Sequence, residues 1–107
     1  MEIKQYQIVL VNLDPSMGSE MKKTRPAVVI SPDEMNKFLQ TVVIAPITNT
    51  SKAYPTRVKL RHQKTTGWIV IDQIRTIDRQ RIIKIVDQLT DREIKLTKTV
   101  ISETFVD

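Results

Sequence analysis

A chain of 107 residues allows one compact domain with one modest core, so a single unit over 1–107 is expected. Seventeen Lys and Arg against twelve Asp and Glu give a formal charge of +5, and between Lys22 and Lys64 the only acidic residues are Asp33 and Glu34, which favours a polyanionic partner over a neutral one. The absence of cysteine excludes disulfides and thiolate metal sites, and with no signal-like apolar start and no run near the roughly 18 apolar residues of a membrane span, a cytoplasmic protein away from membranes is expected.

Short apolar runs rich in β-branched residues predict strands at 8–13, 27–30, 42–47, 57–61, 68–71 and 82–86, separated by segments carrying Pro, Gly, Ser, Asn and Asp. A short helical turn is expected near Pro32, where Asp33 and Glu34 suit the positive end of a helix dipole. In 57–61 the strict alternation sets Arg57, Lys59 and Arg61 on one face and Val58 and Leu60 on the other. The period then changes. Thr90-Asp91-Arg92-Glu93 reads as a capping box, and Ile94, Thr97, Val100, Ile101 and Phe105 recur at helical spacing, an apolar stripe for the sheet or for another subunit. The expected fold is mainly β with a C-terminal α-helix: a small, strongly bent antiparallel sheet or partly open barrel, since closing a sheet removes edges that aggregate.

Three stretches run between apolar strand and polar side chains suited to holding a phosphate. Gly18 to Lys23 form a polar, basic loop leading to Arg25-Pro26 and the strand behind it; residues 44–50 end in Thr48-Asn49-Thr50; residues 71–78 contain Asp72, Gln73, Arg75, Thr76 and Asp78. The single histidine, His62, excludes a histidine pair within one subunit, and Asp14, Glu20, Asp72 and Asp78 are too scattered for a metal cluster, so neither metal nor cofactor is expected. With Gly18 and Gly67 the only glycines, there is no Gly-rich phosphate loop. RNA needs less equipment for strand scission, because its own 2′-hydroxyl can attack the adjacent phosphorus. What remains is to hold the backbone in line, neutralise the charge developing on the phosphoryl oxygens and manage two protons. Arg25 suits the second task through its planar, permanently charged fork, and Thr48 can donate a hydrogen bond to the same phosphate.

The three stretches together resemble the MazF/PemK family of toxin endoribonucleases, over nearly the whole chain. Gly18-Ser19-Glu20 with Arg25-Pro26 matches the first family motif, Pro46-Ile47-Thr48 the second, and Asp72-Gln73-Ile74-Arg75-Thr76-Ile77-Asp78 the third. The resemblance implies an SH3-like barrel of the CcdB/PemK type that forms homodimers. It also implies the toxin component of a type II toxin-antitoxin system in the bacterial cytoplasm, cutting single-stranded RNA, mRNA above all, without a metal ion to leave 2′,3′-cyclic phosphate and 5′-hydroxyl ends. Arg25 and Thr48 are the catalytic residues it implies, described in the family as an acid–base pair. A guanidinium stays protonated to about pH 12 and a threonine is a feeble base, so electrostatic stabilisation of a substrate-assisted attack is physically easier.

RNA contacts are expected from Ser19, Glu20, Lys22, Lys23, Asn49, Lys52, Tyr54, Gln73, Arg75 and Thr76, with Lys52 on phosphate and Tyr54 stacked on a splayed base. Asp72 and Asp78 are expected to hold their turn together. A cognate antitoxin with an acidic, disordered C-terminal segment is implied as the partner that covers the basic groove. The chain departs from the family pattern at Met21, at Lys23 and at Tyr6-Gln7, the last standing where a Gly-Asp pair is usual. Two other readings stay open: a gyrase-poisoning toxin of the same barrel, acting through residues 102–107, and a nucleic-acid-binding module without catalysis.

Overall fold

The β-branched runs pair into a seven-stranded antiparallel sheet, and the final helical stripe closes one of its faces. The computed structural model describes residues 1–13, 24–61 and 66–106. In chain order these form β1 (Gln7–Asn12), β2 (Thr24–Val29), α1 (Asp33–Phe38), β3 (Thr41–Thr48), β4 (Arg57–Arg61), β5 (Thr66–Val70), a 3₁₀ turn (Ile71–Gln73), β6 (Arg75–Asp78), a second 3₁₀ turn (Arg79–Arg81), β7 (Ile82–Gln88) and α2 (Asp91–Phe105). The strand order is β4-β5-β3-β2-β1-β7, with β6 also paired to β3. The sheet is bent but not closed, since β4 and β7 stand at its two ends.

The long strand β3 makes the bend. Residues Thr41 to Ile44 pair with β6, Ile44 to Pro46 with β2, and Ile47 and Thr48 with β5. Because successive side chains point to opposite faces, the sheet divides its apolar residues between two cores. Val9, Val11, Ala27, Val29, Val42, Ile44 and Ile77 fill one. Ile8, Val28, Ala45, Ile47, Val58, Leu60, Ile69 and Ile71 fill the other, where Ile94, Val100 and Ile101 of α2 pack. The alternation expected of residues 57–61 is present, with Val58 and Leu60 buried and Lys59 and Arg61 exposed.

The capping box forms as expected. Thr90 N–H donates to Glu93 Oε1 at 2.9 Å, and Glu93 N–H donates to Thr90 Oγ1 at 3.2 Å. The second carboxylate oxygen of Glu93 also accepts the Arg61 N–H at 3.3 Å, tying the outer edge of β4 to the start of α2. At the other end of α2, Phe105 does not join the packed stripe and is 57 % exposed.

Three features differ from the sequence expectation, and the first is that Arg75–Asp78, not expected as a strand, form β6 against Thr41 to Ile44 of β3. The strand expected to run through Ile71 stops one residue earlier: the Ile71 N–H makes a last bond in ladder register to the Thr56 carbonyl at 3.1 Å, and the chain then enters a 3₁₀ turn in which the Ile74 N–H donates to the Ile71 carbonyl at 3.3 Å. A second 3₁₀ turn follows β6, started by the Asp78 carboxylate accepting the Gln80 N–H at 2.8 Å. Tyr6, where the family pattern has glycine, has φ 70°, a left-handed conformation that side chains rarely adopt. It is held there from both sides: its N–H donates to Val29 at 2.7 Å, and its carbonyl accepts from Leu89 at 2.9 Å.

Candidate functional site

The register of β2 on β3 sets the site. Ala27 pairs with Pro46, Val28 with Ala45 and Val29 with Ile44. Arg25 and Thr48 each lie two residues beyond the Ala27–Pro46 rung, where β2 pairs with β1 and β3 with β5, and both line one cleft. Arg25, near the start of β2, is exposed, and Thr48, which ends β3, is half-buried. Beside them the 3₁₀ turn delivers Gln73, and β6 begins with Arg75 on the face that carries buried Ile77. The result is a cleft of about 420 Å³ lined by Arg25, Thr48, Arg57, Gln73 and Arg75 over an apolar floor of Leu13, Pro46, Ile47 and Val70.

Three guanidiniums thus face one space, and only Arg57 has a carboxylate neighbour among the described residues, Asp72 at 3.5 Å. Partial burial pushes the Asp72 carboxyl up, but hydrogen bonds from the Thr56 hydroxyl and Arg57, its own backbone and the Arg57 charge outweigh it and hold it below the usual carboxylate range. Asp78 is held low as well, first by the Gln80 N–H and then by the Gln40 side chain. Asp78 therefore caps the turn that follows β6, and not the 72–78 stretch that it was expected to hold with Asp72. Asp72 ties a different segment, the 49–56 loop, through Thr56 Oγ1 at 2.8 Å.

The Thr48 hydroxyl donates to the Thr50 carbonyl at 3.2 Å and accepts the Thr50 N–H at 3.4 Å. Both bonds are long and local, so a phosphate oxygen can take the place of the Thr50 carbonyl as acceptor of the Thr48 hydroxyl at small cost. Behind Thr48 the main chain is tightly backed. Gly67 of β5 has φ +133°, and a Cβ there would lie 2.4 Å from the Thr48 carbonyl oxygen.

The expected site residues separate into groups. Arg25, Thr48, Gln73 and Arg75 meet in the cleft. Asn49, Lys52 and Tyr54 are exposed on the loop that leaves Thr48. Thr76 is exposed on the face of β6 opposite to Arg75 and Ile77. Ser19, Glu20, Lys22 and Lys23, like His62, lie outside the described residues. Sequence reasoning missed Arg57 as a lining residue; its position directly after Tyr54-Pro55-Thr56 was the available signal, read only as part of a charged face. Among the described residues no three His, Asp or Glu side chains form a group suited to a metal ion. Among the described residues no helix is long and apolar enough to cross a membrane.

The model of the PemK-like, MazF-like toxins of type II toxin-antitoxin systems matches residues 4–105. Endoribonuclease MazF of Staphylococcus saprophyticus is 34 % identical over 100 residues, covering 87 % of this chain and 82 % of that protein. Among solved structures, the MazE-MazF complex of Deinococcus radiodurans (form II) aligns with TM-score 0.83 at 24 % identity, over 97 % of this chain and 96 % of that one. A mycobacterial endoribonuclease bound to its cognate antitoxin aligns with TM-score 0.80 at 20 % identity, over 94 % and 92 %. The two structural likenesses establish the fold, and the match across almost all of the sequence establishes descent: the chain belongs to the family of PemK-like, MazF-like toxins of type II toxin-antitoxin systems.

Proposed function

We propose that this toxin is a sequence-specific endoribonuclease that cuts single-stranded RNA, chiefly mRNA, without a metal ion, leaving a 2′,3′-cyclic phosphate and a 5′-hydroxyl. The observation that carries this reading is the convergence of Arg25 and Thr48 on one cleft, with Arg57 and Arg75 beside them. A phosphodiester in that cleft has the guanidiniums of Arg25 and Arg75 on its non-bridging oxygens and the Thr48 hydroxyl as a further donor. The substrate's 2′-oxygen bonds to phosphorus as the bond to the 5′-oxygen breaks; the 2′ proton is released to solvent and the 5′-oxygen takes one up. Preorganised donors aimed at the developing charge supply the rate. Arg25 acts here as a fixed cation, in keeping with guanidinium chemistry. The scatter of carboxylates among the described residues supports metal independence.

The flanking nucleotides run over Asn49, Lys52 and Tyr54, whose exposure suits phosphate contact and base stacking. Inhibition falls to a cognate antitoxin whose acidic C-terminal segment covers the same cations, and antitoxin complexes of family members from Deinococcus and Mycobacterium agree with such a partner. A homodimer would cover apolar side chains that one copy leaves open, Ile83 and Ile85 on β7 and Phe105 and Val106 at the end of α2. The place of action is the bacterial cytoplasm.

The test is incubation of the purified protein with a long single-stranded transcript in EDTA. Discrete fragments with cyclic 3′ ends and free 5′-hydroxyls are expected. RNA left whole in EDTA and cut once Mg²⁺ or Mn²⁺ is added overturns metal independence, and RNA left whole in both overturns the nuclease reading.

A further inference from the structure

Arg57 shares the outer face of β4 with Lys59 and Arg61, yet its side chain is only 18 % exposed. Four interactions cover it. Its Nη1 donates to Ser51 Oγ at 2.7 Å, and its Nε lies 3.5 Å from Asp72 Oδ1. Its guanidinium carbon sits 4.9 Å from the centre of the Tyr54 ring, and its backbone N–H donates to the Tyr54 carbonyl at 3.1 Å. The segments joined in this way are the 49–56 loop, which begins directly after Thr48, and the 71–73 turn, which ends in Gln73. One planar side chain therefore fixes the spacing between two walls of the cleft that it also lines. A fork with donors at set angles can serve Ser51 and Asp72 while lying flat on an aromatic face; an ammonium cannot do all three.

Tyr54 has nearly half of its surface open to solvent and stands one guanidinium away from the cleft. Its ring is thus held as a platform beside the phosphate site, although no apolar core packs it there. We propose that Arg57 is a positioning residue for cleavage-site choice: by tying the 49–56 loop to the 71–73 turn, it holds Tyr54 where one base of the RNA stacks while a nearby phosphate lies at Arg25 and Thr48. This rests on the ribonuclease reading above. A stacked base contributes both affinity and register, because every base has a π-face but only a suitable neighbour then reaches the pocket.

The test maps the 5′ ends of fragments from a defined kilobase-long transcript, then measures kcat and KM on a short oligonucleotide carrying the preferred site. The proteins compared are the parent, Arg57→Ala, Arg57→Lys, Tyr54→Ala and the double Arg57→Ala/Tyr54→Ala. Each alanine variant is expected to raise KM about tenfold, with kcat falling less, and to relax the same single nucleotide of the motif. The double variant is expected to be no worse than about tenfold, because the two residues act as one unit. Arg57→Lys keeps the charge and is expected to stay relaxed. Full rescue by lysine, an additive loss of about a hundredfold in the double variant, or an unchanged motif in Arg57→Ala each overturns the proposal. Should Arg57→Ala fail to fold, Ser51→Ala and Asp72→Asn, which each remove one tie, are expected to relax that same nucleotide, and a parental motif in both overturns the proposal. A parent that cuts no RNA removes the ribonuclease reading and this inference together, whereas a cutting parent with motif-neutral variants removes this inference alone.

Discussion

The cleft at Arg25 and Thr48 and the groove between β4 and α2 share Arg57 as a common wall and are both rich in cations, but their charges are arranged differently. In the groove, Arg57, Lys59, Arg61 and Arg92 surround a space of about 300 Å³ with Leu96 and Val100 at its base. Its carboxylate, Glu93, is spent on backbone N–H groups of Thr90 and Arg61. In the cleft, by contrast, a hydroxyl, a carboxamide and three guanidiniums are delivered by the ends of separate elements to one point. Positive charge alone would have flagged both surfaces. What separates them is convergence: strand ends bring donors together, whereas a strand face spreads them at a regular spacing.

The largest effect is expected where that distinction is sharpest. Arg25→Ala and Thr48→Ala should each lower RNA cleavage by about 10²–10³, the usual loss for one electrostatic donor, while leaving the melting temperature near that of the parent. Arg92→Ala and Leu96→Ala in the groove should stay within about twofold, the factor that a surface change of ~0.5 kcal/mol carries. Initial rates on one labelled RNA decide it, and a groove variant as impaired as Arg25→Ala breaks the comparison.

A middle-sized effect runs the other way. Glu93→Ala removes the capping box and leaves the Arg61 N–H without its acceptor, which should cost about 1–2 kcal/mol. At about 4–8 °C per kcal/mol for a domain of this size, thermal unfolding resolves it readily. Cleavage per folded molecule should change little, so the groove would be a stability element where the cleft is a chemical one. Unchanged melting would show that the box contributes nothing.

The smallest effect concerns Asp72. Its carboxyl is held low in the folded chain, so its contribution is complete above the pKa of an unfolded aspartate and is lost as pH falls through the lower folded value. Asp72→Asn should therefore flatten the fall in melting temperature between about pH 5 and pH 2. The side chain is 36 % exposed, so the change should be about one degree. A steeper curve in the variant would reverse the sign of the argument.

The sequence made the local features legible. Val58 and Leu60 declared a buried face by alternation, Thr90 and Glu93 a helix start by spacing, and the motifs around Arg25 and Thr48 singled out two residues that meet in one cleft. What it hid were decisions made at long range. Arg57 looked equivalent to Lys59 and Arg61 because all three share a parity, and only the fold of the 49–56 loop covers the first while leaving the others open. Thr76 belonged to a functional motif, yet the pleat of β6 turns it from the cleft as surely as it turns Arg75 toward it. The break after Val70 was likewise unreadable, since Ile71 is as apolar as a strand residue and is buried like one, while the turn is made by the Ile74 N–H closing on its carbonyl.

Gly67 has a bearing on how such a site can change over generations. With the Thr48 carbonyl lying where a Cβ would go, main chain meets main chain behind Thr48, and Gly67 has no room for a side chain there. A family member seeking a new RNA sequence has no adjustable back wall at this point. Variation must enter from the front, through the 49–56 loop and the 71–73 turn, where side chains meet side chains. The molecule thus divides its own tolerance to mutation: a fixed anvil of backbone at Thr48, and interchangeable tools held in front of it.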